Sequence, residues 1–460
     1  MIASLVARFA RGEDTPAGVV EGVLDGYREE DRFFTHLASD HARELAATST
    51  ARWRSGNPAG GLEGLPIAVK DCIDVAGMPT TNGSVVDASP TAASRDADVV
   101  RALRARGAIP VGKTNLSELA FSGVGTNPHH GTPVNPRSTH TPLVTGGSSS
   151  GSAAAVASGQ VPLALGTDTS GSVRVPAAFC GVVGYKASER RFRRDGVRTL
   201  SPTLDTLGLL APTAADLAFV IAALDGGRVA PDAGSGGPVR LVVPEGDEVV
   251  ADADPQVADW FDRAVRELTE LDRVRIERRP LPVLSEAQAL MDGFGTIVAA
   301  EAFARYGRLL EGPAAALLDP AVVRRLRGAS AVRETVGPVR SRMGELRERV
   351  RVELAGALLL CPTVRHAPPP IAEVTASDEA FDRWNARILR TTVLLSYLGM
   401  PGVSVPRGTG RQLGLGLLVS APVGHDHAAV RAAQLLDDVR ELSEAPPREQ
   451  IGSPAHVRSS

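Results

Sequence analysis

Apolar residues recur at helical spacing near the N-terminus, with Leu5, Val6 and Phe9 in one stretch and Val19, Val23 and Leu24 in the next. Residues 1–47 therefore read as helices, interrupted near Pro16. From Leu62 to about Leu224 the pattern changes, and short apolar runs such as 65–69 alternate with helical stretches. Residues 99–106 predict a helix ended by Gly107, and 108–111 a strand after it. Alternation of this kind predicts a layered α/β sheet. A Gly-, Pro- and Asp-rich patch over 226–238 reads as a linker or long loop. Beyond it the pattern predicts a strand at 239–243, amphipathic helices across 257–354, strands at 358–361 and 415–420, and a helix over 427–439. The polar stretch 446–460 reads as a flexible tail.

Composition narrows the class. With 43% hydrophobic residues in a chain of 460, there is material for a large core, and the length suits either several domains or one large α/β unit. A formal net charge of −3 offers no broad attraction to nucleic acid or to an anionic membrane. The arginine cluster at 190–194 sits among acids and reads as solvated surface. Cys72, Cys180 and Cys361 are too few and too far apart for a disulfide framework or a zinc site, which fits a reducing compartment. The first residues lack the apolar core of a secretion signal, and no apolar run reaches about 18 residues. A cytoplasmic location is the expectation.

Chemistry concentrates in two serine-glycine segments, GGSSSGS at 146–152 and GTDTSGS at 166–172, which place Ser148 and Ser172 24 positions apart. Glycines let backbone N–H groups approach a substrate and serines supply hydroxyls, so the pair predicts an acyl-transfer site. A flexible tether would not enclose the apolar runs 153–156 and 161–165. Lysine is the second signal. Only Lys70, Lys113 and Lys186 occur among 50 basic residues, the rest being arginine. Arginine keeps its proton, whereas lysine, with an ordinary pKa of about 10.4, can lose it when buried and act as a base. Lys70 ends the apolar run 65–69, which places an ammonium at a strand tip. A rival signal is the match of residues 107–114 to the phosphate-loop pattern G-x-x-x-x-G-K-T. Its setting argues against a nucleotide-binding protein, because a helix precedes Gly107 and the middle residues form an apolar strand containing Pro110.

Taken together, GLPIAVKD at 64–71, GAIPVGKTN at 107–115, GTNPHHGTPVNP at 125–136, the two serine segments and LDTLG at 204–208 resemble the amidase signature family. The likeness is strong over about 60–225 and weaker at MPGVSVP, 400–406. It implies a single large α/β/α unit around a mixed β-sheet, with 1–60 an N-terminal helical segment, 61–225 the signature core and 226–445 an α/β portion completing the same unit. It implies a cofactor-free, metal-free amidase acting on a small-molecule amide, with neither nucleic acid nor membrane as partner and a homodimer left open. The family's Ser–cis-Ser–Lys triad maps onto Ser172 as nucleophile, Ser148 as bridging serine and Lys70 as base. Backbone N–H groups of Thr169, Ser170, Gly171 and Ser172 are the implied oxyanion hole, braced by Asp168 and Arg174. Ser170 stands where glycine is usual, which puts the shape of the acyl pocket in question. The glutaminase component of a tRNA-dependent amidotransferase shares this triad and is the competing reading.

Overall fold

Eleven strands build one mixed sheet: β1 (Phe34–Leu37), β2 (Pro66–Lys70), β3 (Ile109–Thr114), β4 (Leu163–Asp168), β5 (Val183–Lys186), β6 (Thr206–Ala211), β7 (Val239–Pro244), β8 (Val274–Arg279), β9 (Leu358–Pro362), β10 (Gly402–Pro406) and β11 (Gly416–Ser420). Their spatial order is β1-β3-β2-β4-β6-β5-β10-β11-β9-β7-β8. The computed structural model describes residues 1–86, 91–227, 237–246, 252–330, 336–406 and 414–444. The expected tail at 446–460 and most of the expected linker at 226–238 lie outside those residues.

Side-chain alternation along the central strands explains the layering. Ile67 and Val69 of β2, Leu163 and Leu165 of β4, and Leu207 and Leu209 of β6 belong to one core cluster, together with Ile2, Leu103, Leu217 and Ala429 from helices. Ala68 and Ala164, between them in sequence, and Leu210, next after Leu209, belong to a second cluster with Val20, Ala46, Ala154 and Ala177. Successive side chains of a strand point to opposite faces, so the sheet is covered by helices on both. Strands buried on both faces read as continuous apolar runs, as 65–69 does.

The helical reading of the first 47 residues holds for Ile2–Arg11 and Pro16–Asp25 but is corrected at β1, which pairs antiparallel with β3 at the sheet edge. Pro16 starts a helix rather than merely breaking one. Thr15 Oγ1 accepts the Gly18 N–H at 3.1 Å, and proline occupies the first turn, where its missing donor costs nothing. β8 likewise interrupts the expected helical run, pairing parallel with β7.

Strands β2, β3 and β4 run parallel, so their carboxyl ends meet at one edge of the sheet, where ligands of open α/β sheets bind. Lys70 closes β2 and Asp168 closes β4 at that edge. The phosphate-loop match resolves here. Residues 109–114 are β3, and Lys113 is buried with its Nζ 2.8 Å from Asp71 Oδ1 and 2.9 Å from both the Pro79 carbonyl and Thr80 Oγ1. Its ammonium is committed to a structural ion pair. We expect Lys113→Met to destabilise the fold by about 3–5 kcal/mol in denaturant unfolding, because Asp71 is left buried without its cation. Saturable ATP binding by the parent protein would instead revive the nucleotide reading.

Candidate active site

The Lys70 side chain is fully buried. Its Nζ lies 2.8 Å from Ser148 Oγ and 2.7 Å from Thr167 Oγ1. Parallel pairing of β2 with β4 brings Thr167 there. Burial pushes the Lys70 pKa down, outweighing the opposing pull of Cys72, Asp168 and Asp205. Its hydrogen-bond partners among the described residues are these two hydroxyls and the Thr167 carbonyl at 3.5 Å, none of them a carboxylate.

Ser148 follows a cis peptide bond, Gly147–Ser148, and precedes the helix Ser150–Ala157. Glycine is needed at 147 because a Cβ there would meet the Gly125 backbone nitrogen at 2.7 Å and Ser117 Oγ at 2.8 Å. The next residue ties the two serine segments together, with Ser149 N–H donating to the Ser172 carbonyl at 3.1 Å. Ser172 itself, 5% exposed, sits in the turn between β4 and the helix Arg174–Cys180.

Asp168 organises that turn. Its carboxylate accepts the backbone N–H groups of Gly171, Val173 and Arg174 at 2.8, 3.1 and 3.2 Å. It also takes Arg174 Nε and Nη2 at 3.0 and 2.8 Å, a bidentate pair with both side chains fully buried. Burial alone would raise the Asp168 pKa, but Arg174 and these hydrogen bonds bring it down to about 2. Of the four backbone N–H groups expected to form an oxyanion hole, that of Gly171 is engaged by Asp168 Oδ1. The turn is braced further by Asp205, which accepts Thr169 Oγ1 at 2.7 Å and the Leu200 and Ser201 N–H groups at 2.8 and 3.0 Å. Burial pushes the Asp205 carboxyl up to about 6.

Residues 24–430 match the family model described as Amidase. The chain belongs to the amidase family. A 2-amino-5-chloromuconic acid deaminase from Comamonas testosteroni is 33% identical over 94% of this chain and 98% of its own length. The A subunit of a glutamyl-tRNA(Gln) amidotransferase from Akkermansia muciniphila is 30% identical over 91% and 93%. A crystal structure of an amidase superimposes with a TM-score of 0.81 at 28% identity, covering 95% of this chain and 99% of that one. This protein is accordingly an enzyme that hydrolyses amide bonds on an α/β fold with a mixed sheet.

The amidase positions its serine turn with groups that no motif announced. Helix Asp378–Tyr397 supplies Thr392, whose Oγ1 donates to the Ser170 carbonyl at 2.5 Å, and Ser396, whose Oγ accepts Arg174 Nη2 at 2.8 Å. Neither stands out in sequence. Thr167 lies inside the GTDTSGS segment, and membership of that segment was the one available signal. His129, by contrast, pairs with Glu118 at 3.1 Å, and neither it nor His130 is among the described partners of Lys70 or Ser148. Ser170 also lines a cavity of about 680 Å³ together with Phe121, Met291, Arg325, Asn385 and Leu389. The serine turn and the cavity thus share a wall. Among the described residues no helix is long and apolar enough to cross a membrane, and no group of three or more His, Cys, Asp or Glu side chains could hold a metal ion.

Gly171 adopts φ +135, and a Cβ there would fall 2.1 Å from Thr392 Oγ1. The left-handed φ and the clash act together. Gly171→Ala should therefore lower kcat/KM by about 100-fold through displacement of the turn. Steady-state kinetics on protein of verified melting temperature will show it, and near-normal activity would mean the turn tolerates repositioning.

Proposed function

We propose that Ser172 is the nucleophile of this amidase and that Lys70 removes its proton through Ser148. The observation that carries this reading is the contact of Lys70 Nζ with Ser148 Oγ at 2.8 Å at a fully buried amine whose pKa is depressed. A serine hydroxyl is a weak nucleophile at neutral pH and needs an adjacent base. A neutral lysine supplies one. In the first step the Ser172 oxygen bonds to the amide carbon while its proton passes by way of Ser148 to Lys70. The oxyanion is met by backbone N–H groups of the 169–172 turn. Collapse of the tetrahedral adduct breaks the C–N bond, and the proton held at Lys70 returns to the departing nitrogen. Water then hydrolyses the acyl-serine by the same route, giving a carboxylate and free enzyme. Asp168 and Arg174 are positioning residues, because they hold the turn rather than reach the reacting atoms.

The near full-length match to a deaminase of a small organic acid supports a free-standing enzyme with a small-molecule substrate. A second reading rests on the amidotransferase relative, and makes this chain a glutaminase within a larger assembly. Co-purification of stoichiometric partner chains from the native source, with glutamine as the preferred amide, would favour it.

Three measurements test the triad. Because the Lys70 pKa is lowered and the free amine is the active form, kcat/KM should rise with pH along one ionisation lying below the ordinary lysine range. In Lys70→Ala that ascending limb should vanish; its persistence would assign the titration to another group. Lys70→Arg should fold yet retain less than about a tenth of wild-type kcat/KM, a barrier change of about 1.4 kcal/mol, since a guanidinium does not accept the proton. Finally, a fluorophosphonate probe should label Ser172 alone, slowly in Ser148→Ala and not at all in Ser172→Ala. A labelled peptide carrying the adduct on Ser148 or Ser149 reverses the order of the two serines.

A further inference from the structure

The cavity beside Ser170 holds a cation, Arg325, that makes no close ion pair among the described residues, although Asp382 acts on it from a distance. Five charged residues line it: Arg324, Arg325, Arg390, Asp292 and Asp382. Arg324 pairs with Asp378 at 2.6 Å and with Asp382 at 3.3 Å. Arg390 pairs with Asp252. Asp292 accepts the Gln288 amide N–H at 2.8 Å. Arg325 is left over. It projects from the helix Pro320–Ala329, and its guanidinium lies 4.3 Å above the centre of the Phe121 ring, which also lines the cavity. Its Nε is buried and reaches no hydrogen-bond partner among the described residues.

A buried guanidinium nitrogen with no partner is costly in a folded protein unless an acceptor joins it. Stacking on Phe121 offsets part of the cost and also fixes the plane of the fork. Burial brings the Arg325 pKa down to about 10, so the group stays charged at neutral pH. The helix that carries it is tied back to the signature core: Asp319, at its N-terminal cap, donates its N–H to Glu118 Oε2 at 2.6 Å, and Glu118 Oε1 accepts Ser84 Oγ at 2.6 Å. The guanidinium is therefore presented from an anchored element to the same space that Ser170 borders.

We propose that Arg325 binds a carboxylate on the substrate, so that the enzyme acts on amides of dicarboxylic acids or other amides carrying a carboxylate remote from the scissile bond. The planar fork matches a carboxylate through two parallel N–H···O bonds, which a neutral group cannot reproduce. Phe121, Met291 and Leu389 would then line the path between anchor and reacting carbon. This inference rests on the amidase reading and adds the substrate class to it.

The test uses ω-amides of three- to six-carbon dicarboxylic acids, each beside the ω-hydroxy amide in which –CH2OH replaces –COO⁻. Calorimetric titration of Ser172→Ala should give at least one carboxylate with a Kd about 10- to 100-fold below that of its alcohol, the range expected for a charged hydrogen-bonded contact. Adding Arg325→Met should bring that ratio to about one, and Arg325→Lys, which keeps the charge without the fork, should leave an intermediate ratio. In the wild-type enzyme, ammonia release should show the same preference in kcat/KM. Carboxylate and alcohol bound equally, neither bound, or a preference that survives Arg325→Met in protein of normal melting temperature, each overturns the assignment. If Arg325→Met does not fold, Arg325→Lys decides alone, and an unchanged ratio there overturns the assignment. Failure of the wild-type enzyme to release ammonia from any amide, with tight carboxylate binding intact, would instead count against the amidase chemistry and leave the anchor standing.

Discussion

A buried lysine with no carboxylate of its own is the constraint around which the site is arranged. Cys72, Asp168 and Asp205 pull Lys70 toward its charged form, and both carboxylates are otherwise engaged, Asp168 by the Arg174 fork and Asp205 by Thr169 and two backbone N–H groups. Lys70 is left with two hydroxyls, and desolvation dominates its ionisation. An additional carboxylate in contact with Nζ would favour the charged form. Scarcity of lysine elsewhere in the chain is consistent with a fold that reserves arginine for positions where a permanent charge is wanted.

The same distribution of charge shapes the serine turn. Asp168 converts a strand end into a rigid bend by accepting three backbone N–H groups within six residues. Its arginine partner continues to Ser396, and Thr392 grips the Ser170 carbonyl from the same helix. A turn restrained from both sides can hold N–H dipoles in place before charge develops on the substrate, which is where electrostatic catalysis gains most. Engagement of the Gly171 N–H by Asp168 is part of that arrangement: one potential donor is used for rigidity so that its neighbours are held in position.

The serine turn and the cavity beside it are built from different parts of the chain. Lys70 ends β2, Ser148 precedes the helix Ser150–Ala157 and Ser172 follows β4, while the cavity is walled largely by helices between residues 282 and 397. Ser170 is where the two meet. The departure from the family pattern at Ser170 therefore falls where the serine turn borders the cavity.

Local sequence determined a good deal. Short apolar runs marked β2, β4 and β7, helical spacing marked the first two helices, and the Gly/Ser segments with Lys70 named a site because unusual residue types at a strand tip and in tight turns leave a mark without any knowledge of the fold. What it left undetermined were interactions between residues far apart in the chain. β1 and β8 lay hidden in helical stretches, since a four-residue edge strand and a polar, partly exposed strand carry little periodic signal and are set by their partners. Lys113 and Lys70 look alike in sequence, and only tertiary pairing made one a structural cation and the other a candidate base. Thr392, Ser396 and Arg325 carry no motif at all. Their significance arises when a helix packs against a turn more than 200 residues earlier or leaves a guanidinium facing a cavity, and such long-range packing is decided by the folded chain as a whole.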